Sequence, residues 1–183
     1  MNNISRTICE LSAEINQEGV DPTKGLPLDL FEFSTTLRPF INVDLLIEND
    51  KGEILLSWRD DKHYGTGWQI PGGIIRMMES IEACIQRTAE REIGSRVEFD
   101  NDPYAVLENI TCEYREGIKN QLERAHNIVL LYKCRVPQDY ILDNGDKEKN
   151  EEGYLEWFSV LPDNLLKCHK QFVHNEVFKK WMK

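Results

Sequence analysis

Apolar residues near the amino terminus recur at helical spacing. Ile4, Ile8, Leu11 and Ile15 lie three or four residues apart, which predicts an amphipathic helix over residues 4–17. A polar segment with proline and glycine follows at 18–27 and predicts a loop. "PLDLFEFSTTL" then predicts a second short helix, with its proline in the first turn. We expect these elements to form a helical N-terminal extension, residues 1–38, that caps the domain or carries a dimer contact.

The hydrophobic pattern changes after residue 38 to short apolar runs bounded by turns, which is typical of β-strands. Strands are predicted over residues 40–50, 53–60, 67–73, 104–114, 126–136 and 154–160. The first two runs are separated by "NDKGE" and predict a hairpin. The polar segment 115–125 predicts a mobile loop between two later strands. These strands form the first part of the predicted domain, residues 39–183.

A single helix is predicted in the middle of the strands, over residues 80–93, and Gly94 stands at its C-terminal cap position. Two further helices are predicted at the carboxyl end, in 161–169 and 170–182. Strands arranged around one central helix predict the α+β class, with helices packed on a mixed β-sheet. We find no internal repeat or interdomain linker in the chain.

Composition narrows the classes of partner. The chain has 183 residues, 40% of them hydrophobic, which is enough for one domain with a proper core. Its formal net charge is −10, whereas domains that bind nucleic acid usually present a basic face. We therefore expect no nucleic-acid partner. A small anionic ligand remains compatible with the charge, because a local basic pocket or a divalent cation can offset it.

The cysteines and the hydropathy pattern predict the compartment. The chain has five cysteines, widely spaced and without a C-x-x-C pair, which is typical neither of a disulfide framework nor of a zinc site. The amino-terminal residues lack an apolar signal core, and no apolar run is long enough to cross a membrane. We expect a soluble, cytoplasmic protein with reduced thiols and no membrane partner.

The stretch "GWQIPGGIIRMMESIEACIQRTAEREIG" carries the candidate chemistry. Gly72 and Gly73 lie between a strand and a helix, where glycines let the backbone approach a ligand closely. Glu79 and Arg87 could clamp the loop to the helix, or form an exposed ion pair of little energetic value. Glu92 lies on the helix face that packs on the sheet, in the last turn, where the helix dipole opposes a negative charge. Its charge therefore requires a compensating cation or donor, unless the last turn frays and releases the side chain to water.

These residues resemble the box of the Nudix hydrolases, G-x5-E-x7-R-E-U-x-E-E-x-G-U, where U is apolar. The positions in register are Gly73, Glu79, Arg87, Ala89, Glu92 and Gly94. The resemblance extends over about residues 40–160 and implies the Nudix fold, an α/β/α sandwich around a mixed sheet. It also implies a divalent cation, Mg²⁺ or Mn²⁺, and a small-molecule nucleotide substrate in which a nucleoside diphosphate is linked to another group.

The box departs from the family pattern at positions that normally hold carboxylates. Thr88 and Arg91 replace two of its glutamates, Ser95 replaces the final apolar residue, and Glu92 is retained. In this respect the chain is similar to the GDP-mannose mannosyl hydrolases. That branch has a reduced box with one magnesium, forms dimers, and releases sugar and GDP by attack at carbon.

This closer resemblance implies roles for individual residues. Asp44 matches an inward aspartate that binds substrate, and Arg59 matches an arginine that contacts the diphosphate. Glu92 matches the retained metal ligand, together with a carbonyl of the glycine turn, for which we take Gly73. In that branch the general base and another metal ligand lie on the loop before the last strand. Here that loop holds Glu151 and Glu152, and we take Glu152 for both roles.

Two further residues are candidates at the same site. The branch has a catalytic arginine directly after its glycines, where this chain has Ile74; Arg76 either takes that role or is a solvated loop charge. His126 opens a predicted strand and is either structural or a contact for phosphate or for the attacking water. The sequence therefore leaves three functions open: a nucleotide-sugar hydrolase, a pyrophosphatase that releases a nucleoside monophosphate, and a nucleotide-binding module without catalysis.

Overall fold

The strands form two β-sheets within residues 2–170, 172 and 176–182, which the computed structural model describes. The strands are β1 (Phe40–Ile47), β2 (Ile54–Asp61), β3 (Gly65–Gln69), β4 (Gly72–Ile74), β5 (Glu98–Phe99), β6 (Ala105–Ile110), β7 (His126–Arg135) and β8 (Leu155–Phe158). The helices are α1 (Asn3–Gln17), α2 (Leu28–Thr35), α3 (Ile81–Ile93) and α4 (Lys167–Lys170), with a 3₁₀ helix at Glu176–Trp181. No helix among the described residues has the length and apolar character needed to span a membrane.

The first sheet is mixed. Its strand order is β4-β1-β7, with β5 and β6 both paired to β7. β1 and β7 are parallel, whereas the other pairs of this sheet are antiparallel. The second sheet is antiparallel, in the order β3-β2-β8. This arrangement confirms the predicted α+β class with a mixed central sheet.

The predicted hairpin of the first two strands is wrong, because β1 and β2 lie in different sheets. Between them there is a single bridge, Glu48 to Ile54, beside a backbone hydrogen bond of 3.0 Å from the amide of Asn49 to Glu53. The physical reason is burial on both faces. Ile54 and Leu56 pack in the core between the sheets, while Leu55 packs with the α3 core, so β2 takes strands β3 and β8 as its neighbours.

Side chains along β1 alternate between two faces, and the two faces pack in two different hydrophobic cores. Val43, Leu45 and Ile47 face α3, while Leu46 faces the second sheet. The other residues in phase with Leu46 are Phe40, Asn42 and Asp44. The inner face of β1 is therefore apolar at its two ends and polar in its middle, at Asn42 and Asp44, and the polar part borders the cavity.

Helix α3 has the predicted limits, and each end has a physical cause. The Ser80 hydroxyl oxygen accepts a hydrogen bond of 3.1 Å from the amide of Ala83, which caps the first turn. Gly94 ends the helix with φ 69°, the left-handed conformation that glycine adopts without strain. The buried positions Cys84, Ile85, Ala89 and Ile93 form the stripe that packs on the sheet.

The helices near the two ends of the chain differ in how far they are buried and in how closely they match the prediction. The residues of α1 are all at least partly exposed, including Ile4 and Ile8. Helix α2 is anchored, since Glu32 and Thr35 are buried. At the carboxyl end, the predicted helices are shorter in the structure, namely α4 and the 3₁₀ helix. The part of the second predicted helix at residues 171 and 173–175 lies outside the described residues.

Candidate functional site

A cavity of about 550 Å³ lies beside the polar half of β1. Its walls come from α2, the start of β1, the β4–α3 segment, β7 and the region of α4. Among the described residues, six arginines line it: Arg38, Arg59, Arg76, Arg87, Arg91 and Arg124. The acidic residues that line it are Asp44 and Asp61. In a chain of net charge −10, this concentration of guanidinium groups makes the cavity suited to an anion.

Helix α2 forms one wall of the cavity. Phe31 lies under the Arg124 guanidinium, 5.1 Å from ring centroid to Cζ. The Thr35 hydroxyl accepts a hydrogen bond of 2.9 Å from the amide of Arg124. Glu32 bonds the His63 ring at 3.0 Å and pairs with Lys62 at 3.3 Å. The N-terminal extension is therefore part of the site wall, which its helical pattern alone did not indicate.

Asp44 lies at the floor of the cavity and is almost completely buried. Burial raises the pKa of its carboxyl to about 7; the hydrogen bond from Asn42 opposes this rise, and the charge of Glu92 adds to it. Gly72 faces it across the β1–β4 pair, and a Cβ there would lie 2.4 Å from Asp44 Oδ1. Glycine at this position is thus what allows the carboxyl to fit.

Glu92 and the Gly72 carbonyl converge on one cationic group. The Arg91 guanidinium donates to Glu92 Oε1 at 2.7 Å and, through the same nitrogen, to the Gly72 carbonyl at 2.8 Å. Arg59 lies 3.9 Å from Glu92 Oε1 and 3.3 Å from Glu152 Oε1. The structure therefore brings Arg59, Glu92 and Glu152 together, with Arg91 among them.

This oxygen set fits a divalent cation. Carboxylate and carbonyl oxygens are the ligands that hard divalent ions prefer, and here two of them already point at a single positive charge. The Glu92 side chain is only 7% exposed, so a cation compensates a carboxylate that has little contact with water. Arg91 holds that position, and its half-exposed side chain has room to rotate away.

The glycine turn has two carbonyls with different surroundings. The Gly73 carbonyl accepts a weak hydrogen bond of 3.8 Å from the buried Cys84 thiol, on the α3 side. A Cβ on Gly73 would lie 2.2 Å from the hydroxyl oxygen of Thr88, which is fully buried. Gly73 and Thr88 thus form the close contact between β4 and α3, and the carbonyl that converges with Glu92 belongs to Gly72. We assign the carbonyl role to Gly72 below, in place of Gly73.

Glu79 and Arg87 form a forked ion pair. Arg87 Nε and its terminal nitrogen bond the two Glu79 oxygens at 2.6 and 2.8 Å, and the same terminal nitrogen donates to the Ile74 carbonyl at 2.9 Å. Glu79 also accepts from the backbone amide of Arg76 at 2.9 Å. The hydrogen bond from Arg87 lowers the pKa of the Glu79 carboxyl to about 2. Of the two interpretations from sequence, the geometry is that of a clamp holding the loop to α3.

The two remaining candidate residues, Arg76 and His126, lie in different parts of the structure. Arg76 lines the cavity, and like Arg38 it has no ion-pair partner among the residues described. His126 lies one residue out of phase with Asn127, which lines the cavity, so its side chain projects from the opposite face of β7. There its ring bonds Glu108 at 3.2 Å. The structure does not bring His126 to the site.

Sequence reasoning missed several residues of the cavity. Asn42 shares the inward phase of Asp44, and that alternation was a usable signal. Arg38, Asn109, Asn127 and His169 also line the cavity, but they come from distant segments without a shared motif. Their proximity arises from the pairing of β6 and β7 and from the position of α4.

Comparisons with known proteins agree with the fold. A family model described as the NUDIX domain matches residues 38–176. Among curated proteins, the chain is 28% identical over 89 residues to the low-salt glycan biosynthesis protein Agl8 of Haloferax volcanii, covering 49% of this chain. The match spans 56% of that relative's length.

One solved structure shows the same fold. The MutT NUDIX hydrolase from Burkholderia pseudomallei superposes with a TM-score of 0.55 at 23% identity, covering 73% of this chain and 95% of that one. The MutT protein from Methanosarcina mazei Go1 gives a TM-score of 0.48 at 23% identity, covering 66% and 77% of the two chains.

Proposed function

This chain belongs to the Nudix family, whose domain model matches most of its length, and we propose that it hydrolyses a nucleotide sugar at the arginine-lined cavity. Nudix hydrolases act on small molecules and generally use a divalent metal. The proposal rests on two neighbouring features of the structure. The arginine-lined cavity, which is suited to an anion, lies beside Glu92 and the Gly72 carbonyl, and these two groups converge on a cation position.

Two observations support a sugar as the linked group. Of the three glutamates that the box normally places on the helix after Arg87, only Glu92 is kept, since Thr88, packed against Gly73, and Arg91, a cation, stand at the other two positions. This set of carboxylates suits one metal better than several. The curated relative is named for glycan biosynthesis, a process that consumes nucleotide sugars. GDP-mannose is accordingly the first substrate to test.

The residues take distinct roles in the proposed reaction. Glu92, the Gly72 carbonyl and Glu152 would hold the cation, which when bound supplies charge neutralisation to the diphosphate. Arg59 and Arg76 donate forked hydrogen bonds to the phosphate oxygens and stabilise the charge that develops on the leaving group. Asp44 hydrogen-bonds the substrate at the cavity floor. Glu152, half exposed beside Arg59, accepts the proton of the attacking water.

The product identity tests this proposal. Under attack at carbon, GDP-mannose yields mannose and GDP; in phosphorus NMR both signals stay coupled, and the β-phosphate signal moves from the position of a diester to that of a terminal phosphate. Under attack at phosphorus it yields GMP and a sugar phosphate, which would replace the sugar-hydrolase assignment with a pyrophosphatase. A panel of GDP-mannose, GDP-glucose and ADP-ribose with Mg²⁺ and Mn²⁺ covers both outcomes. Absence of turnover across the panel would favour a binding module.

Substituting Arg91 with alanine is expected to tighten binding of the divalent cation. The guanidinium competes with the cation for Glu92 Oε1 and the Gly72 carbonyl. Because an exposed pair contributes about 0.5–1 kcal/mol, we expect the dissociation constant for Mn²⁺ to fall about 2–5-fold in calorimetry. Arg96→Ala is the matched control, since it removes the same charge from an exposed side chain that pairs with Glu90 at 3.8 Å. Weaker cation binding in Arg91→Ala alone would contradict the competition.

A further inference from the structure

Among the residues that line the cavity, six buried side-chain atoms have no hydrogen-bond partner among the described residues. They are Asn42 Oδ1, Asp44 Oδ2, Asn109 Oδ1, Arg124 Nε, Asn127 Oδ1 and His169 Nδ1. His169 Nδ1 and Asp44 Oδ2 lie 3.8 Å apart, beyond hydrogen-bond distance. Buried polar groups in folded proteins are nearly always hydrogen-bonded, so a cluster of unpaired atoms requires an explanation. These residues lie on β1, β6, β7 and α4 and beside the start of β7, around the same cavity, which points to a ligand that supplies the missing partners.

Three of these residues form an asparagine patch on the inner face of the mixed sheet: Asn42, Asn109 and Asn127. Asn127 lies directly opposite Asn109 on β6, and opposite Phe40 on β1 on its other side. Asn42 is two residues along β1 from Phe40 and therefore on the same face. The patch crosses three neighbouring strands and has an aromatic ring at its edge.

The asparagine patch has no evident role in folding. The residues that continue the same face are Leu46, Leu107, Val129 and Leu131, which pack in the core between the sheets. Apolar side chains at the asparagine positions would extend that core and leave no unpaired amide oxygen. Burial of an amide oxygen without a donor destabilises the folded state, so the patch opposes stability in the free protein.

The chemistry of the asparagine patch selects a neutral partner. The Asn42 side chain opposes the rise in the pKa of the Asp44 carboxyl, as an amide nitrogen directed toward that carboxyl does, and the Asn42 oxygen has no partner among the described residues. The Asn109 and Asn127 amides carry no charge and also present unpaired oxygens. Such acceptors match N–H or O–H donors, whereas a phosphate offers mainly acceptors and matches the cavity arginines instead.

We infer that the asparagine patch binds a neutral, donor-bearing ring of the substrate and determines which substrates are accepted. This inference rests on the proposed function in one respect, namely that the diphosphate lies against the arginines of the same cavity. The ring is either the amino-bearing edge of the base or the hydroxylated face of the linked sugar. Both supply the donors that the unpaired oxygens lack, and the experiment separates them.

Asn127→Leu is the first test, because leucine has nearly the shape of asparagine without its polar atoms. Calorimetry in EDTA, which prevents turnover, measures binding of pyrophosphate, GDP, UDP and GDP-mannose. We expect about tenfold weaker binding of the ligand that contacts the patch and unchanged binding of pyrophosphate. We also expect an unchanged or higher Tm, because an unpaired buried oxygen is removed. Asn101→Leu, an exposed loop position, is the matched control.

The ligands distinguish the two rings. Equal losses for GDP and GDP-mannose, with UDP less affected, place the base on the asparagine patch. A loss confined to GDP-mannose places the sugar there. Unchanged affinities for every nucleotide, or an equal loss for pyrophosphate, overturn the inference. Failure of wild-type protein to bind pyrophosphate would instead contradict the arginine site of the proposed function.

If Asn127→Leu does not fold, a measurement on the wild-type protein still tests the inference. Wild-type protein that distinguishes neither GDP from UDP nor GDP-mannose from GDP-glucose, pairs of equal charge, does not read the ring at the asparagine patch, and the inference is then wrong. Asn109→Leu provides a second variant at the directly opposite position of the same patch. We expect it to weaken the same ligand as Asn127→Leu and to leave pyrophosphate binding unchanged.

Discussion

Glu92→Gln is expected to lower kcat by at least about 100-fold, since loss of a cation ligand exceeds the 10–100-fold effect of removing its outer partners. Glutamine keeps the size of the side chain and removes the charge that compensates the cation. The carboxylate is nearly inaccessible to water and lies between Arg91 and Arg59, at 2.7 and 3.9 Å. Initial rates with GDP-mannose across a Mn²⁺ series measure the effect, which should include a higher Mn²⁺ requirement.

Glu90→Gln is the matched control for this prediction. It is the same substitution on the same helix, at an exposed side chain that pairs with Arg96 away from the cavity. We expect its kcat to stay within about twofold of the wild-type value, because exposed pairs contribute little. Glu92→Gln with near wild-type turnover would show that the cation is held elsewhere, and the roles assigned to Gly72 and Glu152 would fall with it.

Glu79→Gln is expected to destabilise the fold at neutral pH by about 2–3 kcal/mol. The side chain is 10% exposed, and its forked pair with Arg87 lowers the pKa of its carboxyl from 4.5 to about 2. A carboxyl whose folded pKa is depressed stabilises the protein above its unfolded pKa. That stabilisation is lost as pH falls from about 4.5 to about 2. The difference between wild type and variant should therefore be full at pH 7 and shrink toward pH 3.

Urea denaturation at pH 7, 5, 4 and 3 measures this pH dependence. Glu82→Gln, exposed in the first turn of the same helix, controls for a general change of charge. Destabilisation of equal size at every pH would attribute the effect to packing or to lost hydrogen bonds, not to the charge of Glu79. Glu79 also accepts a hydrogen bond from the amide of Arg76, whose side chain lines the cavity. The measured destabilisation therefore includes the loss of this contact between Glu79 and the β4–α3 loop.

The structure shows what the side chains contact at the two box positions where a glutamate is replaced. Thr88 is buried against Gly73, where its hydroxyl and methyl fill the contact between β4 and α3. Arg91 supplies a positive charge to the two oxygens that would otherwise bind a cation. The charges at these two positions differ from those of the family pattern, and the variants at Arg91 and Glu92 measure the effect of that difference.

Local sequence determined much of the fold. Spacing and caps were sufficient for α3, because the Ser80 cap, the apolar stripe and Gly94 all act within a few residues. The mixed α+β class followed from the order of the elements. The box positions located Glu79, Arg87 and Glu92 because one helix and its preceding loop hold them at fixed separations.

Only the tertiary structure decided how the strands divide into sheets and which residues line the cavity, because these features depend on segments distant in sequence. The divergence of β1 and β2 into two sheets follows from burial on both faces, which a short turn between two apolar runs does not reveal. His126 and Asn127 are adjacent in sequence, yet strand alternation directs them to opposite faces, so one lines the cavity and the other does not. The wall formed by α2 and the asparagine patch across β1, β7 and β6 arise from long-range packing and strand pairing, which no local pattern encodes.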